Sequence, residues 1–300
     1  MRVSSVLFIV VMLILVISLL CIWFYPSVQD FMASNIMWNG IKNFSSEFGV
    51  NSIGLLEELP NLPENSVLVA IPYIDYTNEE LLKIKQFLDN GGTLLLMDDY
   101  GYGNSVLAYL GVSVRFTNKP LLDALFCYKN QWMPRITDFA PEVKESDINV
   151  VMLNHATSLT NVEESAVMAR SSTASFLDLN ENGSWDGNEP KGPFVVAAKF
   201  RLGKGTLALV ADPSIVINSM VGRDDNYAFT RYLTSPTGKQ ESIMIDISHL
   251  TRAPLDVSKT RLVGARELLS SPYALLGITA MIFVAVSRYT LKKGENIGQY

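Results

Sequence analysis

The stretch Ser66–Met97 reads SVLVAIPYIDYTNEELLKIKQFLDNGGTLLLM, and its reading decides the fold. SVLVAI and TLLLM are short, continuously apolar runs without alternation, the pattern of strands buried on both faces. Between them, Thr77 and Glu80 have capping-box spacing, Leu81, Ile84 and Leu88 share one helical face, and Gly91 closes the helix. The result is a β-α-β unit, which predicts parallel strands and a right-handed crossover.

The same alternation extends outward. A helix is predicted over Asn104–Leu110, and a strand near Ser113–Phe116 continues the pattern. Thr117–Ser146 is rich in aromatics and prolines without periodicity, and reads as a long packed insertion. Strand-like runs return at Ile148–Leu153, Phe194–Phe200, Thr206–Val210 and Ile243–Ile247. Helices are predicted over Tyr227–Leu233 and Lys259–Leu269, and another in the segment leading up to Phe48. No internal repeat interrupts this order. The expectation is one α/β domain with a mostly parallel sheet and a β-rich elaboration.

The chain ends differ from this core. Val6–Tyr25 reads VLFIVVMLILVISLLCIWFY, and no charge stands between Arg2 and Asp30. That length suits a membrane-crossing helix. The run is longer than a signal core and no small-x-small cleavage site follows, so it reads as an uncleaved anchor. Leu268–Ser287, LLSSPYALLGITAMIFVAVS, is a second apolar run, diluted by Pro272, Gly277 and Thr279. It reads as a second span, with a buried or interfacial helix as the alternative. Arg2 precedes the first run, and Arg288, Lys292 and Lys293 follow the second. Basic flanks of this kind put both ends in the cytoplasm and the middle outside. Arg252, Lys259, Arg261 and Arg266, before the second run, weigh the other way. The expected plan is an anchor over 1–25, an extracytoplasmic domain over 26–270, a transmembrane helix over 271–290 and a cytoplasmic tail over 291–300.

Net charge is −6 and mean hydropathy is +0.20. With no basic run, the composition does not fit a nucleic-acid binder. Cys21 lies in the first apolar run and Cys127 stands alone, so no disulfide framework exists, and Cys127 reads as a small buried hydrophobe.

Asp178–Glu189, DLNENGSWDGNE, fits the calcium-loop spacing D-x-[DN]-x-[DN]-G-x5-E at each defined position. Asp178, Asn180 and Asn182 supply oxygens at positions one, three and five. Gly183 allows the sharp turn, Ser184 offers its carbonyl, Asp186 stands at nine and Glu189 at twelve. Calcium needs several hard oxygen ligands, and alternate inward residues around a glycine deliver them. The alternative is a polar hairpin without metal. SSTASFL before the loop and PKGPFVV after it look like strands, so no helix pair is present to be moved and a bound Ca2+ would be structural. Two glycosylation sequons occur, Asn182-Gly183-Ser184 and Asn43-Phe44-Ser45, of which Asn43 is the more plausible acceptor.

Open α/β sheets bind ligands beyond the carboxyl ends of their strands. The residues expected there are Tyr73, Asp75, Asp98, Asp99, Asn154, His155 and Asp212. DDYGYGN, Asp98–Asn104, has a strand-turn-helix layout but no Ser or Cys nucleophile, and strand-end carboxylates commonly cap turns. His155 and His249 lack metal-ligand spacing. Gly203 and Gly205 read as a hairpin turn, not a phosphate loop. Asp212 is expected to start a helical turn, and Asp225 or Asn226 to cap the next helix.

LDNGGTLLLMDDYGYGNSVLAYLGV, FLDLNENGSWDGNEP, GKGTLALVADPSIVINSM and DDNYAF resemble the membrane proteins catalogued as domain of unknown function 4350, of archaeal type. The resemblance spans most of the middle region. It implies a flavodoxin-like fold similar to class I glutamine amidotransferases. Those enzymes carry a cysteine at the elbow, where this chain has Asp98, Asp99 and Tyr100. It also implies an envelope system with MoxR-type ATPases and partner membrane proteins. The reading that follows is a non-catalytic, membrane-anchored binding or scaffold domain with a structural calcium. The alternatives are a hydrolase or transferase acting on cell-surface glycan or peptide through Asp98, Asp99 and His155, and an accessory subunit of a transporter-like complex.

Overall fold

The computed structural model describes residues 3–54, 56, 59, 62, 66–235 and 242–297. Arg2 and the last three residues of the tail lie outside the described residues. The chain divides into two units, Pro26–Thr251, and Met1–Tyr25 with Arg252–Tyr300.

The first unit is a mixed α/β fold around a ten-stranded sheet. Its strand order is β1 (Asn51–Ile53), β14 (Ile243–Asp246), β2 (Val67–Ala70), β3 (Thr93–Met97), β13 (Gly205–Val210), β12 (Val195–Leu202), β10 (Val167–Arg170) and β7 (Asp138–Phe139). The first five are mutually parallel, and the last three continue antiparallel. Every residue of β2, β3 and β13 is buried, which explains their unbroken apolar runs. Helix α3 (Asn78–Asp89) joins β2 to β3 and buries Leu81, Ile84, Phe87 and Leu88. Its capping box is formed on both sides: Glu80 N donates to Thr77 Oγ1 and Thr77 N to Glu80 Oε2. Gly91, at φ +96°, follows the last turn.

The expected strand near Ser113–Phe116 does not continue the parallel sheet. It shortens to β4 (Arg115–Phe116) and pairs antiparallel with β9 (Leu159–Thr160), which itself joins β12. Ile148–Leu153 likewise shortens to β8 (Val151–Met152), paired with β6 (Arg135–Ile136) in a separate ribbon. A second ribbon joins β5 (Leu121–Asp123) to β11 (Ser175–Leu177). The insertion therefore gives one strand to each of these two ribbons and the edge strand β7 to the main sheet. The segment after the first apolar run is helical only in α2 (Lys42–Phe48); residues 26–41 form turns, with Asn35 and Asn39 side chains taking up backbone groups. Helices α4 (Gly103–Tyr109), α5 (Pro141–Lys144) and α6 (Asn226–Thr234) complete this unit. Asp225 precedes α6, but its carboxylate accepts the Asn149 and Val150 amides instead of capping that helix.

The second unit holds α1 (Val3–Phe24), α7 (Pro254–Leu269) and α8 (Pro272–Ile297). Among the described residues one helix, Ser5–Phe24, is long and apolar enough to cross a membrane, with a mean hydropathy of 3.3. The second apolar run forms α8, which follows α7 across a 72° bend. Only the bent pair Pro254–Leu269 with Pro272–Arg288 reaches the length and composition of a further span. Within this unit Lys259 Nζ donates to the Tyr25 carbonyl, and the Arg266 guanidinium lies 5.9 Å from the Trp23 ring centroid.

Candidate functional site

The carboxyl ends of β2, β3 and β13 gather one group of polar side chains. The Asp98 amide donates to Val210 O at 3.1 Å, extending the β3–β13 ladder by one residue. The chain then turns sharply into α4. Asp98 is 2% exposed and holds that turn: Oδ1 accepts Gly101 N at 2.7 Å and Oδ2 accepts Gly103 N at 2.8 Å. Gly101 is required by close approach, because a Cβ there would lie 2.3 Å from Pro72 O. Burial pushes the Asp98 carboxyl up to about 6, against the pull of the Gly101 and Gly103 amides.

Asp212, fully buried, does the same for the turn after β13. Its Oδ2 accepts Asn154 N at 2.6 Å and its Oδ1 accepts Ser214 N at 2.7 Å, opening the turn Pro213–Val216. Burial, with the nearby Asp99 charge adding to it, raises its carboxyl to about 8. Asp99 accepts the Tyr73 hydroxyl at 3.0 Å and the Tyr100 amide at 2.7 Å, both on Oδ1. Burial lifts its pKa too, opposed by those two bonds and by attraction to His155. Tyr73 and Tyr100 are both held well above the usual phenol range, first by burial and then by the Asp99 charge. Exposed His155 has a φ of +58° and stacks on Trp132, with ring centroids 4.7 Å apart.

The structure thus brings Asp98, Asp99, Asp212, Tyr73 and His155 together. Asn154 contributes its backbone amide, and Asp75 is exposed. Tyr100, already marked at the elbow, lies beside Asp99, and Trp132, which no spacing marked, stacks on His155. Chemically, Asp98 and Asp212 spend both oxygens on backbone N–H groups, so they shape turns. Asp99 instead takes the Tyr73 hydroxyl and the Tyr100 amide on Oδ1. The group sets acceptor oxygens beside aromatic faces.

The oxygen-rich loop lies close enough for Glu181 and Asp178 to act on the Tyr100 phenol. β11 leads into it, and Lys191 bridges back to Phe176 beyond it, so strands flank it on both sides. Asp178 is fully buried; its Oδ2 accepts Gly183 N at 2.6 Å and its Oδ1 accepts Asn182 N at 3.1 Å. Asn180 Oδ1 accepts Asn182 N at 3.1 Å, and Asn182 Oδ1 accepts Ser184 N at 2.7 Å. Asn180 and Asn182 both donate to Asp186 Oδ2, at 2.6 and 2.9 Å. Glu189 reaches back to accept Leu179 N at 2.7 Å and Asp186 N at 3.0 Å. Gly183 turns at φ +75°. The residue at position twelve therefore closes onto position two, and the loop wraps inward. Among the described residues no lysine or arginine pairs with Asp178, Asp186 or Glu189; Lys119 pairs with Glu181 instead. The described residues contain no cluster of three or more His, Cys, Asp or Glu side chains arranged to hold a metal. The oxygens of the loop are a mixed set of carboxylate, amide and carbonyl donors, the donor chemistry calcium takes.

The family model described as Domain of unknown function (DUF4350) matches residues 47–234, which includes both the strand-end cleft and the loop. The chain belongs to that family. No curated protein matches it. Among solved structures, the mmIFT52 N-terminal domain is similar at 14% identity and a TM-score of 0.50, covering 70% of this chain and 95% of that one. At that identity the likeness concerns the fold alone. The β-galactosidase from Bacillus circulans sp. alkalophilus is 13% identical, with a TM-score of 0.35, covering 58% of this chain and 23% of that one. The exo-β-1,4-mannosidase Op5Man5 from Opitutaceae bacterium strain TAV5 is 9% identical, with a TM-score of 0.27, covering 60% and 26%.

Proposed function

We propose that this DUF4350 chain is a membrane-anchored, non-catalytic binding domain. Its α/β unit, with an amidotransferase-like architecture, stands outside the membrane and presents the strand-end cleft to an envelope ligand or a partner membrane protein. The observation that carries the reading is the elbow itself. Asp98 fills the position of a strand-to-helix nucleophile, and both its oxygens are committed to Gly101 and Gly103 amides. The group at the centre of the cleft therefore maintains its shape.

Calcium fits this reading as a structural ion in the wall of the cleft. Asp178, Asn180, Asn182, Asp186 and Glu189 side chains, with the Ser184 carbonyl, would hold it. A bound ion would supply the positive charge that the inward-facing carboxylates lack. Extracellular modules of this kind bind calcium at about 0.1–1 mM, which suits an outside location. Two membrane passes, α1 and the bent α7–α8 pair, would return the tail to the cytoplasm; the basic residues Arg288, Lys292 and Lys293 support that orientation.

Calcium titration of the full chain in nanodiscs, by calorimetry and thermal melting, tests the reading. Wild type should bind in the millimolar range or tighter and melt higher with calcium. The double variant Asp178→Ala, Glu189→Ala should do neither. Absence of heat and of a melting shift in wild type, at calcium about tenfold above that range, would reduce the loop to a polar hairpin.

A further inference from the structure

A second polar cluster, which the proposed function does not use, gathers at the carboxyl end of β14. Asp246 is 1% exposed and sits at the end of β14. Its Oδ1 accepts both the amide and the hydroxyl of Ser248, at 2.9 and 2.5 Å. Its Oδ2 accepts the Tyr76 hydroxyl at 2.8 Å and faces His249 Nδ1 at 2.6 Å. On the other side of the ring, His249 Nε2 lies 3.4 Å from Glu80 Oε2. The Tyr76 ring covers the imidazole at 3.8 Å between centroids. His249 itself is 5% exposed.

A neutral imidazole has one N–H and one lone pair. Here both nitrogens face carboxylates, so a neutral ring would turn a lone pair towards an anion. The geometry calls for the doubly protonated, charged ring. The groups facing it are Asp246 from β14, Glu80 from α3 and Tyr76 from the loop between β2 and α3. Burial works against the charge, but Asp246 and then Glu80 hold the imidazole above its ordinary value. The carboxylates respond in kind. Burial would raise both, yet Thr77 and His249 keep Glu80 low, and His249, Ser248 and Tyr76 keep Asp246 low.

The cluster touches the cleft through one short segment. The His249 carbonyl accepts Tyr73 N at 2.9 Å, Pro72 O accepts Tyr102 N at 2.9 Å, and the Tyr73 hydroxyl donates to Asp99. Residues 72–77 are thus fixed at one end to the elbow and at the other to Asp246 and Glu80.

We propose that His249 is a proton-operated latch on the loop between β2 and α3, holding Tyr73 against Asp99 when the ring is charged and releasing it when the ring is neutral. The latch rests on the binding-cleft reading only for its consequence; its own operation is a property of the loop.

Hydrogen exchange of the full chain in nanodiscs, followed from about pH 5 to 9 and corrected for the intrinsic rate, tests it. Protection of a peptide spanning residues 72–77 should fall about tenfold or more as pH rises above the ordinary imidazole value. A peptide from β12 and β13 should keep its protection. His249→Gln should make the 72–77 peptide indifferent to pH. Glu80→Gln retains the capping-box geometry and removes one charge, so it should move the drop to lower pH; it also decides the matter if His249→Gln does not fold. The latch is wrong if His249 titrates by NMR at or below the ordinary imidazole value. It is equally wrong if residues 72–77 exchange alike at both ends of the range, or if Glu80→Gln leaves the drop where it was. A cleft that binds no glycan or peptide probe, in a protein whose loop still responds to pH, would remove the cleft reading and leave the latch standing.

Discussion

Asp212 illustrates how a single buried carboxylate sets pH behaviour. Its pKa is raised, as is that of Asp98, so protonation favours the folded state of both. Their contribution is fully present below the ordinary carboxylate value. It is lost as pH rises through about 6 for Asp98 and about 8 for Asp212. Asp212→Asn keeps an acceptor for one of its two N–H donors and removes the charge. The variant should melt lower than wild type at pH 5, and the gap should narrow or reverse by pH 9. Parallel melting curves for the two proteins over that range would contradict this. The His249 cluster runs on a different schedule. Its imidazole is held up, so that stabilisation fades as pH climbs past the raised value; its carboxylates are held down, so theirs fades in acid. At this scale, legibility followed distance along the chain. The loop Asp178–Glu189 could be read because its oxygens are consecutive. The strand-end acids could be read because each follows a recognisable strand. The His249 cluster was hidden because Tyr76 and Asp246 meet across 170 residues, and neither spacing nor composition marks such a meeting.

Elements were most legible where local and tertiary signals agree. In α3 the capping box, the apolar face and the closing glycine all give one answer, and the observed helix is Asn78–Asp89. Thr77→Ala should cost about 1 kcal/mol by denaturant unfolding. The same substitution should loosen Glu80 and so shift the His249 titration downward. Gly101→Ala should be worse than Thr77→Ala, since its Cβ would meet the Pro72 carbonyl and an Asp98 oxygen rather than solvent. A melting temperature within a degree of wild type for Gly101→Ala would show that the elbow is less tightly built than its contacts imply. Strands were less legible. Ser113–Phe116 and Ile148–Leu153 have the right side chains, but β propensity records a fit to any pleated, half-buried surface. It does not say which neighbour will be found: β4 met β9 at the margin of the main sheet, and β8 met β6 in a separate ribbon. Residues 26–41 were expected to lead helically into α2, but there the Asn35 and Asn39 side chains bind backbone carbonyls in turns.

At the scale of the molecule, the α/β class followed from one β-α-β stretch, and Gly203 and Gly205 marked the β12–β13 hairpin; the strands beyond it did not follow, because nothing local distinguishes β12 pairing with β10 from β12 ending a sheet. Sidedness is open to a direct measurement. Lys204 is exposed at the β12–β13 hairpin. In intact cells a Lys204→Cys, Cys127→Ser variant should react with a membrane-impermeant maleimide as fast as after lysis. Reaction only after lysis would put the α/β unit in the cytoplasm.

The position of β14 carries one more consequence. It lies between β1 and β2, so the sheet has a slot that only residues 243–246 can fill. A chain emerging amino end first presents β1, β2 and β3 long before that slot can close. Until then β2 offers an unpaired edge to any neighbour. Synthesis of this protein therefore includes an interval in which more than two hundred residues have emerged and the sheet is still divided, and a stop codon anywhere before residue 243 leaves it divided for good.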